Sequence, residues 1–148
     1  MNQTELFSST FGRVTRWIDK DTNYQKIVIQ GYDLSDSIFS TDILPALCVA
    51  RESLKRSASN NTAIFIIDLR LAKNFNIWDT SRLIGYIKSS RDIFSKKLSF
   101  SQVVVNTNSA WLGIFKYLFR LVKTARPVRI TTFNDTPEYI KDILSAST

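Results

Sequence analysis

Acid–base chemistry in this chain would fall to aspartate, glutamate, lysine or tyrosine, because it contains no histidine. That absence removes the commonest general base, the commonest metal ligand and every histidine-dependent triad. No convergent pair of carboxylates can be picked out by spacing. With only four glycines there is no phosphate-cradling turn, and neither zinc-type spacing nor a G-x-S-x-G elbow occurs. The single cysteine, Cys48, falls in a predicted helix beside Leu44, Leu47 and Val49, which reads as a buried, inert thiol. No catalytic residue, metal or cofactor is therefore expected, and the chemistry left is that of binding. Asp68 ends a predicted strand, on the rim where α/β folds place ligands. It has no second carboxylate or glycine-rich turn beside it, so it is expected to satisfy loop amides. Asp79, Thr80 and Ser81 open a predicted helix, where each is a good N-cap.

The elements that must position these residues follow from periodicity. Phe11 to Ile18 alternates loosely, Asp19 to Asn23 supplies turn chemistry, and Lys26-Ile27-Val28-Ile29-Gln30 is a β-branched strand ended by Gly31. Ser40, Thr41 and Asp42 offer N-caps for a helix to about Ser57, with Pro45 in its first turn and Ile43, Leu47, Ala50 and Leu54 as its inward stripe. Ala63 to Leu69 is apolar on both faces before Asp68, the mark of a central, covered strand. A helix is expected from Asp79 to Lys97, with Leu83, Ile87, Phe94 and Leu98 on one side. Gln102 to Asn106 reads as a second buried strand, Ser109 to Lys123 as a helix, and Val128 to Phe133 as a half-exposed strand near an edge. Thr136 and Pro137 open a last short helix as N-cap and N1. The order β-β-α-β-α-β-α-β-α demands a mixed, mainly parallel sheet of five or six strands, with an N-terminal hairpin and four helices.

Length and composition agree with one domain over residues 1–148, its first ten residues loosely packed. At 44% hydrophobic and 22% charged the chain has enough apolar surface to fold. The net charge of +7 favours contact with anions, but the basic residues are scattered, as on a solvated face. Trp17, Tyr24, Trp78 and Trp111 lie on different elements with no RNA-binding signature, so core or pocket lining is expected and nucleic acid is not. A lone cysteine, no apolar run of bilayer length and no secretory pattern at residues 1–10 point to a cytoplasmic protein.

Two stretches resemble a known fold family. Ile66-Ile67-Asp68-Leu69, followed by Ile77-Trp78-Asp79-Thr80-Ser81-Arg82-Leu83, is similar to the strand, loop and helix start of STAS domains, where Asp-Ser-Ser-Gly-Leu opens the helix. Val103-Val104-Val105-Asn106, an aromatic-rich helix and Val128 to Phe133 resemble the end of both STAS and CRAL-TRIO domains, the SpoIIAA-like superfamily. The resemblance runs from about Lys26 to Leu144. It implies a SpoIIAA-like α/β fold and a non-catalytic regulatory module that binds a protein partner around Asp68, Asp79, Thr80, Ser81 and Arg82. Ser81 occupies the place of the phosphorylated serine of anti-anti-sigma factors; phosphate there would add about −1.5 to −2 charge at a helix N-terminus. The chain departs from the family in a longer loop after Asp68 and in Arg82, where the family has glycine and where the side chain would crowd a docking kinase.

The helix from Ser109 to Lys123 carries the other reading. At 100° per residue, Trp111, Phe115, Tyr117, Leu118, Phe119, Val122 and their apolar neighbours cover about 220°, against the ~100° that one sheet face needs. The surplus needs a covering: the N-terminal segment Leu6–Phe11, a second copy of the chain, or a ligand. The likeness to CRAL-TRIO domains, whose corresponding helix gates a lipid cavity, implies a lipid or other apolar small molecule. Lys116, Arg120, Lys123 and Arg126 would then meet anionic head groups at a membrane surface, at about 1 kcal/mol per residue.

Overall fold

Ile27-Val28-Ile29 and Ile64-Phe65-Ile66-Ile67 are apolar at successive positions, which suits only strands covered on both faces. The computed structural model, which describes residues 2–22, 24–57, 59–74, 81–106, 113, 116, 117, 119, 120 and 124–147, puts them at the centre of a six-stranded sheet. The strands are β1 (Asn2–Ser8), β2 (Gly12–Ile18), β3 (Gln25–Gly31), β4 (Ala63–Asp68), β5 (Leu98–Val105) and β6 (Val128–Thr132), and they lie side by side in chain order. β1, β2 and β3 are antiparallel neighbours, whereas β3, β4, β5 and β6 are parallel. The helices are α1 (Leu44–Lys55), α2 (Ser81–Ser89), α3 (Arg91–Lys97) and α4 (Glu138–Ser147). Residues 113, 116, 117, 119 and 120, between β5 and β6, are also helical. The mixed, mainly parallel α/β sheet with an N-terminal hairpin is as expected.

The two faces are covered unequally. Val14, Ile27, Ile29 and Phe65 pack with Ala46, Ala50 and Leu54 of α1, Tyr86 of α2 and Phe94 of α3. On the same side Phe119 joins Leu83, Val103 and Val105. Trp17, Val28, Ile66, Phe100 and Val104 point the other way and meet Ile140, Ile143 and Leu144 of α4. Six strands span roughly 24 Å at their usual spacing, and one helix covers ~10 Å of that. On the α4 side, the described residues therefore leave part of the sheet uncovered.

Several boundaries differ from the sequence reading for identifiable reasons. Residues 2–8 are an edge strand rather than a loose segment, and Leu6 and Phe7 pack on the core. A bulge between Glu5 and Phe7 breaks their alternation, so periodicity misses the strand. The helix expected over 79–97 is two, jointed at Ser90, whose hydroxyl accepts a 2.9 Å bond from the Arg51 guanidinium. Leu98, expected on that helix, begins β5. Ser40, Thr41 and Asp42 do not cap α1. A wide turn, Phe39–Ile43, leads into the helix, and the Leu44 N–H donates to the Phe39 carbonyl. The Thr136 hydroxyl donates back to the Thr132 carbonyl at 2.8 Å, so it fastens the turn after β6 rather than capping α4. Cys48 is half-buried, not buried, and its sulfur lies 3.6 Å from Arg51 Nη2.

Gly12 is the one glycine the sheet cannot replace. Its φ is +152°, and a β-carbon there would stand 1.8 Å from the Gln30 carbonyl oxygen. This close approach of β2 to β3 sets the strand end from which the Gln30 side chain projects.

Candidate functional site

Three parallel strands end together on the uncovered part of the sheet. The register aligns Gln30 with Asp68 and Asp68 with Val104, so the last side chains of β3 and β4 stand abreast on the α4 side. Asp68 is buried and Arg70, two residues on, folds back over it. Arg70 Nε donates to Asp68 Oδ1 at 2.9 Å and Nη2 to Oδ2 at 3.0 Å, and the Arg70 backbone N–H reaches Oδ1 at 3.2 Å. The guanidinium also lies 4.6 Å from the centre of the Phe133 ring. Asp68 therefore does satisfy a loop amide, as its isolation in sequence suggests, but its main partner is a cation that spacing alone did not single out.

Beside this pair, Arg13 of β2 donates from Nε and Nη2 to Gln30 Oε1, at 3.0 and 2.8 Å, and from Nη2 to the Ser147 carbonyl at the end of α4. The sequence signal for these partners was available: polar residues close two otherwise apolar strands. Together Gln30, Tyr32, Asp68, Arg70, Leu71, Val105, Asn106, Phe133 and Asn134 line a half-open cleft of about 380 Å³. Its outer wall is firm. The Leu34 N–H donates to the Lys73 carbonyl and the Lys73 N–H to the Tyr32 carbonyl. Asp33 accepts from the Ser35 hydroxyl, the Asn74 amide and the Ser35 N–H, and these bonds hold its carboxyl below the usual range.

The surface singled out around Ser81 forms separately. Asp79, Thr80 and Trp78 lie outside the described residues. Ser81 is the exposed first residue of α2. Arg82 does not stand over it as a crowding group: the guanidinium is ion-paired to Asp36, donates to the Ser40 hydroxyl at 3.3 Å and lies 4.8 Å from the Phe39 ring centre. The head of α2 is thereby tied to the segment that leads into α1.

The aromatic helix before β6 is described in part. Trp111, Phe115, Leu118, Val122 and Lys123 lie outside the described residues. Phe119 is half-buried in the core, whereas Lys116, Tyr117 and Arg120 are exposed. Tyr117 thus belongs to the outer, basic side rather than to the apolar set. Arg126 is occupied structurally: its Nη2 donates to the Ser95 carbonyl and the Asn61 side chain, both at 2.6 Å. An apolar cavity beside Phe119 measures about 90 Å³, well below the ~300–1,000 Å³ of ordinary ligand pockets. Of the other aromatics, Trp17 is core and Tyr24 exposed.

Among the described residues no three metal-ligating side chains cluster, and no helix is long and apolar enough to cross a membrane. Tyr86, the one deeply buried phenol, donates to the Leu47 carbonyl at 2.7 Å, and burial raises its pKa far above the ordinary value. That makes it a strut, not an acid or base. No family model, curated protein or solved structure matches the chain.

Proposed function

We propose that this chain is a STAS-like, non-catalytic regulatory module of the cytoplasm that binds a protein partner through the surface at the head of α2, with Ser81 as a phosphorylation switch. The observation that carries the reading is the position of Arg82. Its contacts to Asp36, Ser40 and Phe39 join two segments into one surface and leave the Ser81 hydroxyl exposed. A phosphate on Ser81 would add two negative charges at most to a surface already holding Arg82 and Asp36 in mutual contact. It would compete for Arg82 and loosen the segment Asp36–Phe39, so partner docking would respond to it. The sheet in chain order and the SpoIIAA-like pattern around Asp68 and Ser81 are consistent with that family.

The lipid-binding reading has less support, because the cavity beside Phe119 is too small for an acyl chain and Tyr117 faces outward. The exposed Lys116, Tyr117 and Arg120 keep contact with an anionic membrane as its remaining form. The test is quantitative co-purification from the native host with wild type, Ser81→Ala and Ser81→Asp, together with phosphosite mapping and native mass spectrometry before and after organic extraction. A partner retained by Ser81→Ala and lost by Ser81→Asp is the expected result. Equal recovery by all three variants would end the switch reading, and an extractable bound mass would move the assignment to lipid.

A further inference from the structure

We infer that the cleft at the ends of β3, β4 and β5 binds a small organic carboxylate with an apolar body. The charge and polarity of the ligand follow from what the lining groups have left to offer. Gln30 is only 1% exposed, and its oxygen is turned toward Arg13, from which it accepts two hydrogen bonds. Since arginine can only donate, the carboxamide orientation is fixed, and Gln30 can present only its Nε2 donors to the cleft it lines. Asp68 has both oxygens engaged by Arg70, so it has little to give a cationic ligand. Arg70 uses Nε and Nη2 in that pair, and Nη1 stands outside it. Among the described residues that line the cleft, the one carboxylate is therefore already neutralised, and what Gln30 and Arg70 have left to offer is N–H donors.

Several ligand classes do not suit it. A wholly apolar molecule would close the cleft over the Gln30 amide without giving its N–H donors an acceptor. A phosphate dianion needs more positive charge than one half-committed guanidinium, and no glycine-rich turn offers backbone amides. A monoanionic carboxylate matches the two donors, and Phe133, Tyr32 and Leu71 supply an apolar wall. The volume of about 380 Å³ is in the range of small-molecule sites. The position, at the carboxyl ends of parallel strands, is where α/β sheets bind ligands. This assignment stands independently of the Ser81 surface.

The test is an NMR titration of the full chain with benzoate, hexanoate and indole-3-acetate, with benzyl alcohol and benzylamine as neutral and cationic counterparts. For ligands this small, binding in the millimolar range is expected. At least one carboxylate should shift the backbone amides of Gln30, Tyr32, Leu71 and Asn134 along one saturable curve. The alcohol should bind about tenfold more weakly, and the amine should leave these amides unmoved. Two variants separate binding from folding. Gln30→Glu keeps an acceptor for Arg13 but replaces the Nε2 donors with negative charge, and should abolish carboxylate binding. Asn134→Asp, on the exposed rim, should weaken it about fivefold or more with an unchanged melting temperature. The assignment is overturned if no carboxylate shifts the cleft, if the shifts fall on Lys116 and Arg120 instead, if the amine binds there as well as the acids, or if folded Gln30→Glu binds like wild type.

Discussion

Replacing Arg70 with glutamine should destabilise the fold by about 2 kcal/mol, and the structure says why. Asp68 is 8% exposed and takes two charge-assisted hydrogen bonds from the guanidinium. Deleting one partner of a fully buried pair costs roughly 3–5 kcal/mol, because the other charge is stranded. Arg70 keeps 24% of its side chain exposed, so solvent screens part of that loss and the figure falls to about 2 kcal/mol. The contact with Phe133 adds a few tenths at most when half-solvated. For a chain of 148 residues the unfolding entropy is about 0.3 kcal/mol per kelvin, so the melting temperature should drop by about 6 °C. Urea unfolding of Arg70→Gln, Asp68→Asn and the double variant isolates the pair. Asp68→Asn should cost about 1 kcal/mol, since Arg70 can turn to water, and the double variant no more than that, giving a coupling of about 2 kcal/mol. Additive losses, with a coupling below ~0.5 kcal/mol, would show that Asp68 is solvated in solution and that the pair does not organise the strand end.

Three further changes test the sheet and the strut on its other face. Gly12→Ala should cost about 3 kcal/mol or more, because the added carbon meets the Gln30 carbonyl at 1.8 Å; Gly85→Ala, on exposed α2 with nothing within 4 Å, should gain about 0.5–1 kcal/mol. A thermal melt that ranks them the other way would refute the close approach of β2 and β3. Tyr86 has a pKa raised by burial from an ordinary 10.0, so the folded chain holds that proton when the unfolded chain has released it. Its contribution is complete below about pH 10 and is lost as pH rises further. Tyr86→Phe should cost about 1 kcal/mol at neutral pH, through the lost bond to Leu47, and flatten the alkaline fall in stability. An unchanged alkaline slope would contradict the burial.

The strongest elements were legible because their chemistry is local. Ile64 to Ile67 cannot be anything but a covered strand, and Pro45 and Pro137 mark helix starts wherever they fall. What escaped was non-local. The strand over residues 2–8 is polar at Asn2-Gln3-Thr4-Glu5 and broken by a bulge, and it exists because β2 offers an edge. The joint at Ser90 depends on Arg51 reaching across from α1, a contact separated by 39 positions. The candidate site shows the same division. Asp68 was visible as a polar residue ending an apolar strand, whereas Arg13 with Gln30, and Arg70 with Phe133, meet only after the sheet has formed. From its place beside Ser81 alone, Arg82 is an obstruction; its partners Asp36, Phe39 and Ser40 lie over 40 positions away in sequence, and they draw it aside.

Gln30 decides between a cleft that is a by-product of folding and one that is a site. Val28 of β3 and Ile66 of β4 behind it on the same face are apolar, but its own cross-strand neighbours are Arg13 and Asp68, so a leucine or valine there would leave the Arg13 guanidinium without its acceptor. If its task were only to hold Arg13 against the end of α4, glutamate would do so more strongly, by a charge-assisted pair in place of a neutral acceptor. Glutamate would also put a second negative charge beside Asp68 and turn the cleft from a donor surface into an acceptor one. Glutamine satisfies Arg13 with its oxygen and keeps two N–H donors for whatever enters. Leucine would strand the Arg13 guanidinium and glutamate would bury a second carboxylate beside Asp68, so glutamine suits this strand end better than either. The same residue leaves its N–H donors on the side of the cleft, which is what the proposed carboxylate would use.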